Sequence, residues 1–332
     1  MERDLRIDFL RFVGLSLVIL AHVQAPFTLT QIRSFDVPLI VFVSGLTSSS
    51  KIISNYWQYV WKRTKRLVIP VWFFLTVYLT TFYFLQGFLL SEKYLTGTMI
   101  LRSFLLLDHS IGYVWIIRVF LLVMFITPFV MRLSATIKTD TNYIIILILT
   151  LLLNQILFQL FSVIEEKVIQ NFLTDTILYG VAYSIPFALG VRLRSYIGKN
   201  VLTYIISFVV VFLLLMINCK MAGNNPIGVS QGYKFPPRPY FIIYGSLVSI
   251  ILWSTRDLWG ILSKGHFVSF VGQNTLWIYL WHMPFALFAT VFINNWVISY
   301  FFVYLIALLS FRIQYLIVKK LNKPLLNKYL LG

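Results

Sequence analysis

Ten apolar stretches, at about 7–26, 35–53, 67–90, 112–131, 142–164, 176–193, 201–217, 239–255, 267–293 and 297–318, each suffice to cross roughly 30 Å of hydrocarbon. No water reaches backbone polar groups inside lipid, so such segments must satisfy their own hydrogen bonds and fold as helices. The composition follows: 59% of the 332 residues are hydrophobic and 12% charged, with a mean hydropathy of +0.83. The expected fold is an all-α integral membrane protein, about ten transmembrane helices in one bundle, forming a single polytopic domain over 1–332. Positions 98–107 are amphipathic and are expected along the interface. Val23-Gln24-Ala25 has the small residues of a cleavage site, but Pro26 and further spans follow, so the segment reads as a retained first helix.

Twenty of the 28 Lys and Arg fall on one side when the N-terminus is placed inside, among them Lys62, Arg63, Lys65, Arg66, Arg192, Arg194, Lys319 and Lys320. Seven, including Arg33, Lys234 and Arg238, fall on the other, and Arg118 lies within a span. The positive-inside rule therefore puts both termini in the cytoplasm. The net charge of +17 is distributed among the spans rather than gathered on a soluble face, which argues against nucleic acid as a partner. Cys219 is the single cysteine, which excludes an internal disulfide.

Arg11 and His22 stand eleven positions apart in the first span. On a continuous helix that is three turns plus about 20°, one face, with an axial separation of roughly 16 Å. Polar groups at such depth are costly and mark functional sites. An elongated ligand such as coenzyme A fits the separation, with its phosphates on arginine and its thioester near a base. Arg11 is equally placed to pair with Asp8 at i,i+3, and His22 to bond a neighbouring helix. Arg63 and Arg66 share a helix face if the third helix already extends there, and would suit a nucleotide phosphate; a basic cluster at a span end is also an ordinary topogenic signal.

His282 follows Tyr279 by three residues in the ninth span, some fifteen residues in, at a depth comparable to that of His22. Pro284 beside it frees a backbone carbonyl. Arg118, three residues after Trp115, faces an acceptor, a wet cavity, or an outer carboxylate such as Asp36 or Asp108. His109 and Asp108 read as surface residues. Ser44-Gly45 lacks the strand-turn-helix setting of a nucleophile elbow, and small residues there favour close helix packing. No metal site is expected, because no carboxylate or cysteine accompanies the histidines at ligand spacing.

Taken in order, these residues resemble the acyltransferase-3 family of integral membrane acyltransferases. Arg11 and His22 match its Arg, ten residues, His pattern, and Arg63 and Arg66, with Pro70 following, its Arg-x-x-Arg pattern. Phe42-Val43-Ser44-Gly45 is similar to an aromatic Ser-Gly element, Trp115 and Pro128 to a Trp-to-Pro frame, and Tyr279-Leu280-Trp281-His282-Met283-Pro284 to a C-terminal Tyr-Leu-x-His-x-Pro segment. Phe120 and Leu121 stand where many relatives carry paired glutamates, so this chain looks like the compact members that modify envelope glycans.

The resemblance implies transfer of an acyl group, commonly acetyl, from cytoplasmic acyl-CoA to a hydroxyl of an envelope polysaccharide or other glycan in the bacterial cytoplasmic membrane. It implies His22 as base or acyl relay with Arg11, and Arg11, Arg63 and Arg66 on CoA. Tyr279, His282, Arg118, Trp115 and Ser44 would support the site or bind acceptor. Membrane lipids and a second copy of the chain are the other expected partners. A transporter or flippase for a glycan precursor, with the same polar residues lining its path, is the competing reading.

Overall fold

The computed structural model of the protein describes residues 4–48, 53, 55–89, 95–107, 114–194, 199–226 and 232–331. Its helices are α1 (Leu5–Leu20), α2 (Phe27–Ile32), α3 (Asp36–Ser48), α4 (Tyr56–Leu89), α5 (Gly97–Phe104), α6 (Trp115–Thr136), α7 (Asp140–Ser162), α8 (Lys167–Leu173), α9 (Tyr179–Leu193), α10 (Lys199–Met221), α11 (Pro239–Ser254), α12 (His266–Gln273), α13 (Thr275–Phe292), α14 (Trp296–Leu321) and α15 (Pro324–Leu326). The protein is 84% helical, with no strand among the described residues, and eight helices there are long and apolar enough to span a membrane. It is an all-α integral membrane protein.

Several expected spans differ in their ends. The first, 7–26, is a helix only over Leu5–Leu20; Gln24 adopts a left-handed φ of 54° and the chain turns before Pro26. The second runs from Phe27 to Ser48, and α1 and α11, at 16 residues, rise only about 24 Å each. The third begins well before position 67, at Tyr56, since Trp57 to Arg66 contain no breaker. The sixth starts at Lys167 rather than 176, passing through a π-helical turn at Thr174–Leu178. The ninth, 267–293, is two helices: Asn274, at φ −115° and ψ 25°, interrupts it between α12 and α13. The amphipathic stretch near 98–107 is α5, capped by Thr96, whose hydroxyl accepts from Met99 N at 3.2 Å.

Contacts divide the chain into two compact units, 1–53 with 125–273, and 54–124 with 274–332. In the first unit α3 and α9 are the centre. Gly45 and Gly190 allow their backbones to touch: a Cβ on Gly190 would lie 2.0 Å from Phe42 O, and one on Gly45 2.1 Å from Phe187 O. Small residues are how membrane helices approach closely, because lipid supplies no hydrophobic drive between them. Most of α9 is accordingly buried, whereas α10 leaves Leu213, Leu214 and Ile217 exposed.

α1 packs on α3 and α12. Gly272 gives its backbone to α1, since a Cβ there would lie 2.2 Å from Asp8 O. Phe9 stacks on Trp259 at 4.5 Å, which seats the start of α1 on the segment before α12. On the same side Arg194 donates to Asp4 at 2.7 Å and Arg6 to Asp257 at 3.1 Å. Arg192 donates to the carbonyls of Ser134, Ile137 and Lys138 and to Asp140, so one guanidinium satisfies the orphan carbonyls ending α6 and the acid opening α7.

In the second unit α13 packs on α14 and α4. Trp281 Nε1 donates to Gln314 Oε1 at 2.7 Å, and Gln314 Nε2 donates to Leu330 O at 2.7 Å, joining α13, α14 and the C-terminal turn by one polar chain. Phe74 meets Trp281 edge-on at 5.5 Å, and Trp72 Nε1 donates to Phe104 O, tying α4 to α13 and to α5.

Candidate active site

Arg11 and His22 both belong to the first unit, Arg11 within α1 and His22 just past its end. Arg11 lies within α1 with its side chain 29% exposed, and its Nη1 donates to Asp8 Oδ1 at 3.2 Å. Asp8 is 2% exposed, held against the Gly272 backbone, so the pair has a rigid anionic end and a reachable cationic one. His22 is not in the helix but in the turn just after it. Ala21 keeps right-handed helical dihedrals and His22 N–H donates to Ile19 O at 3.0 Å, a tightened last turn that continues the helical path. The half-buried imidazole thus stands at the end of α1 rather than inside it.

Ser44 and Gly45 divide the labour expected of small residues in α3. Gly45 is the close contact with α9, and the half-buried Ser44 contributes its carbonyl to the Thr47 hydroxyl at 3.0 Å. Its setting is mid-helix, as packing requires.

Arg63 and Arg66 lie inside α4 and so share its face. Arg66 is exposed and Arg63 half-buried, its guanidinium 5.7 Å from the centre of the Tyr59 ring; Lys65 lies 4.8 Å from the Trp61 ring. Trp57 and Trp61 are 74% and 64% exposed. Aromatic rings beside cations are the composition of a membrane interface, and exposed guanidiniums there have donors to offer an anion.

Arg118 is 7% exposed and its Nη1 donates to Leu106 O at 3.4 Å. Asp108 and His109 lie outside the described residues. Asp36, the other carboxylate considered for Arg118, belongs to the first unit and pairs there with Arg33 and Lys234. Trp115 opens α6, half-buried, and Pro128 lies within the same helix.

His282 is 0% exposed, seven residues after the start of α13 rather than fifteen, because that helix begins at Thr275. Its Nδ1 bonds the carbonyl of Tyr279, whose ring lies 5.1 Å away. A carbonyl accepts only, so Nδ1 is the donor in this bond. Tyr279 and His282 are therefore brought together as their spacing predicts. Pro284 follows within the helix and supplies no N–H to it.

One cluster went unremarked in the sequence. Arg33, in the turn before α3, donates Nη1 to Asp36 Oδ2, and Lys234, from the loop before α11, reaches both Asp36 oxygens at 3.2 and 3.3 Å. The three side chains are 2%, 1% and 4% exposed. Burial lowers the Lys234 pKa, and the Asp36 charge opposes that shift. The i,i+3 spacing of Arg33 and Asp36 was a readable signal; the 198 residues between Asp36 and Lys234 were not.

No curated protein and no solved structure matches the chain. A family model described as an acyltransferase domain matches residues 4–311 of the 332, and so takes in Arg11, His22, Ser44, Arg63, Arg66, Trp115, Arg118, Tyr279 and His282. With nearly the whole chain matched, on a fold of membrane-spanning helices, the protein belongs to the acyltransferase-3 family and is a membrane acyltransferase.

Proposed function

We propose that the protein is an O-acetyltransferase of the bacterial cytoplasmic membrane, moving acetyl from cytoplasmic acetyl-CoA to a hydroxyl of a cell-envelope or exported polysaccharide. The observation that carries this reading is the end of α1: the helix holds the reachable guanidinium of Arg11, and the turn that closes it, eleven positions on, holds the half-buried imidazole of His22. That separation suits a cofactor with phosphates at one end and a reactive thioester on a long arm at the other. The exposed Arg66 and the half-buried Arg63 on one face of α4 support a second set of phosphate contacts.

In the direct route His22 accepts the proton of the acceptor hydroxyl while its oxygen bonds the thioester carbonyl carbon. The C–S bond then breaks and CoA leaves as the thiol, taking that proton. In the relay route an imidazole nitrogen first bonds the acyl carbon and expels CoA, and the acceptor hydroxyl displaces the imidazole in a second step. Arg11 holds the phosphate end of CoA. Acetyl-CoA is a co-substrate, and the chemistry calls for no metal.

The test is transfer of radiolabel from acetyl-CoA to a panel of envelope glycans by the purified protein. His22→Ala is expected to lower transfer by about 10²–10⁴-fold, the usual worth of a general base, and Arg11→Ala to weaken acetyl-CoA binding. Normal transfer by His22→Ala, or a wild type that neither binds nor transfers, would rule the reading out.

A further inference from the structure

The turn between α6 and α7 is held from one side by Arg192, which donates Nη1 to Ile137 O at 2.8 Å and Nη2 to Lys138 O at 3.1 Å. Asp140 is the one acid in the sequence from Trp115 to Ser162, and its Oδ1 accepts from Arg192 Nη2 at 3.0 Å and from the Tyr204 hydroxyl at 2.9 Å. An open groove of about 570 Å³ lies against this turn, lined by Thr136, Lys138, Thr139 and Asn142 and, further along α7, by Ile145 and Ile146. Sites for small ligands span roughly 300–1,000 Å³. The side chains of Lys138, Thr139 and Asn142 are exposed and make no hydrogen bond or ion pair among the described residues. From the groove, Ile145, Leu149, Leu152 and Ile156 follow at spacings of three and four, all exposed, so one apolar face of α7 begins where the polar rim ends.

We propose that this groove binds the headgroup of one anionic phospholipid. The lipid phosphate meets the Lys138 ammonium and accepts from the Thr139 hydroxyl and the Asn142 amide, while an acyl chain lies along the stripe from Ile145 to Ile156. With Asp140 engaged by Arg192, no other carboxylate on α6 or α7 competes for Lys138. A soluble phosphate would leave the apolar stripe unused, and a zwitterionic headgroup would set its own cation against Lys138. None of these residues is among those proposed for acyl transfer, so the site stands or falls without that reading.

The experiment counts lipids retained by the full chain in native mass spectrometry from uncharged detergent, titrated with phosphatidylglycerol and, separately, with phosphatidylcholine of the same acyl chains. The wild type is expected to retain one phosphatidylglycerol saturably and more tightly than phosphatidylcholine. Lys138→Gln and Asn142→Ala are each expected to weaken that binding about fivefold. Lys264→Gln, which removes an exposed cation outside the groove, should leave it unchanged. Equal binding of the two lipids, full binding by both groove variants, or an equal loss in Lys264→Gln overturns the site. Glycerol 3-phosphate at matched concentration is expected not to compete, since it has no chain to lay on the stripe; displacement by it makes a soluble phosphate the occupant and overturns the lipid assignment.

Discussion

Arg33 and Asp36 share the three-residue spacing of Arg63 and Arg66, yet the two pairs end in opposite surroundings. The first is at most 2% exposed, and its carboxylate is shared with a lysine from a distant loop. Arg66 of the second is exposed in a helix that carries Trp57 and Trp61 on its surface. Buried charges must be paired before the helices close on them, so they bind the fold together. Exposed charges contribute little stability and stay available to a ligand. Substitutions in the two pairs should therefore separate stability from binding.

Asp36→Asn should have the largest effect. It leaves Arg33 and Lys234 buried without their carboxylate and is expected to destabilise by about 3–5 kcal/mol, read as a fall in Tm of the purified protein. A Tm near that of the wild type would mean that the cluster is not a structural clamp. Gly190→Ala comes next, at about 1–3 kcal/mol, because its Cβ would fall 2.0 Å from Phe42 O and force α3 from α9. The same change at Gly180, which has nothing within 4 Å of its Cβ, should have no such steric cost, so equal losses at both would break the packing argument.

Arg66→Gln should change stability by no more than about 0.5 kcal/mol. Under the acyltransfer reading it should raise KM for acetyl-CoA about tenfold, the worth of one charge-assisted hydrogen bond. Loss of stability without a change in KM would place Arg66 with the structural cations. The smallest effect is at Asp4. Burial raises its pKa, but hydrogen bonds from Arg6 and Arg194 outweigh this and hold the group below its usual 3.8. A depressed pKa gives stability that is present above the unfolded value and is lost as pH falls through the folded one. Arg6 is 40% exposed, so solvent screening limits the gain to under about 1 kcal/mol. Asp4→Asn should flatten the fall in Tm below about pH 4; an unchanged slope would assign the acid sensitivity elsewhere.

Much of this could be read before any fold was known. Long apolar runs admit one backbone solution in lipid, so the helical class followed from hydropathy alone. Spacing three apart put Tyr279 within reach of His282 and offered Asp8 as one partner for Arg11, since both contacts are local. Helix ends were harder. Apolar residues continue past Leu20 and across Asn274, and hydropathy does not register a left-handed Gln24 or a broken turn. His22 consequently moved from a helix to its terminal turn, and His282 from deep in a long helix to the middle of a shorter one.

The sequence by itself determined the solvent, the helical class, the family and the residues that carry its pattern, because these depend on composition and on neighbours within a few turns. Only the tertiary structure decided which charges are buried and which are free to bind. Lys234 and Arg238 are four residues apart just before α11; one is buried against Asp36, and the other lies 4.3 Å from the Phe158 ring and 4.5 Å from that of Tyr233. The partner that separates them comes from a distant part of the chain, and the energy of a charge is set by what surrounds it in space.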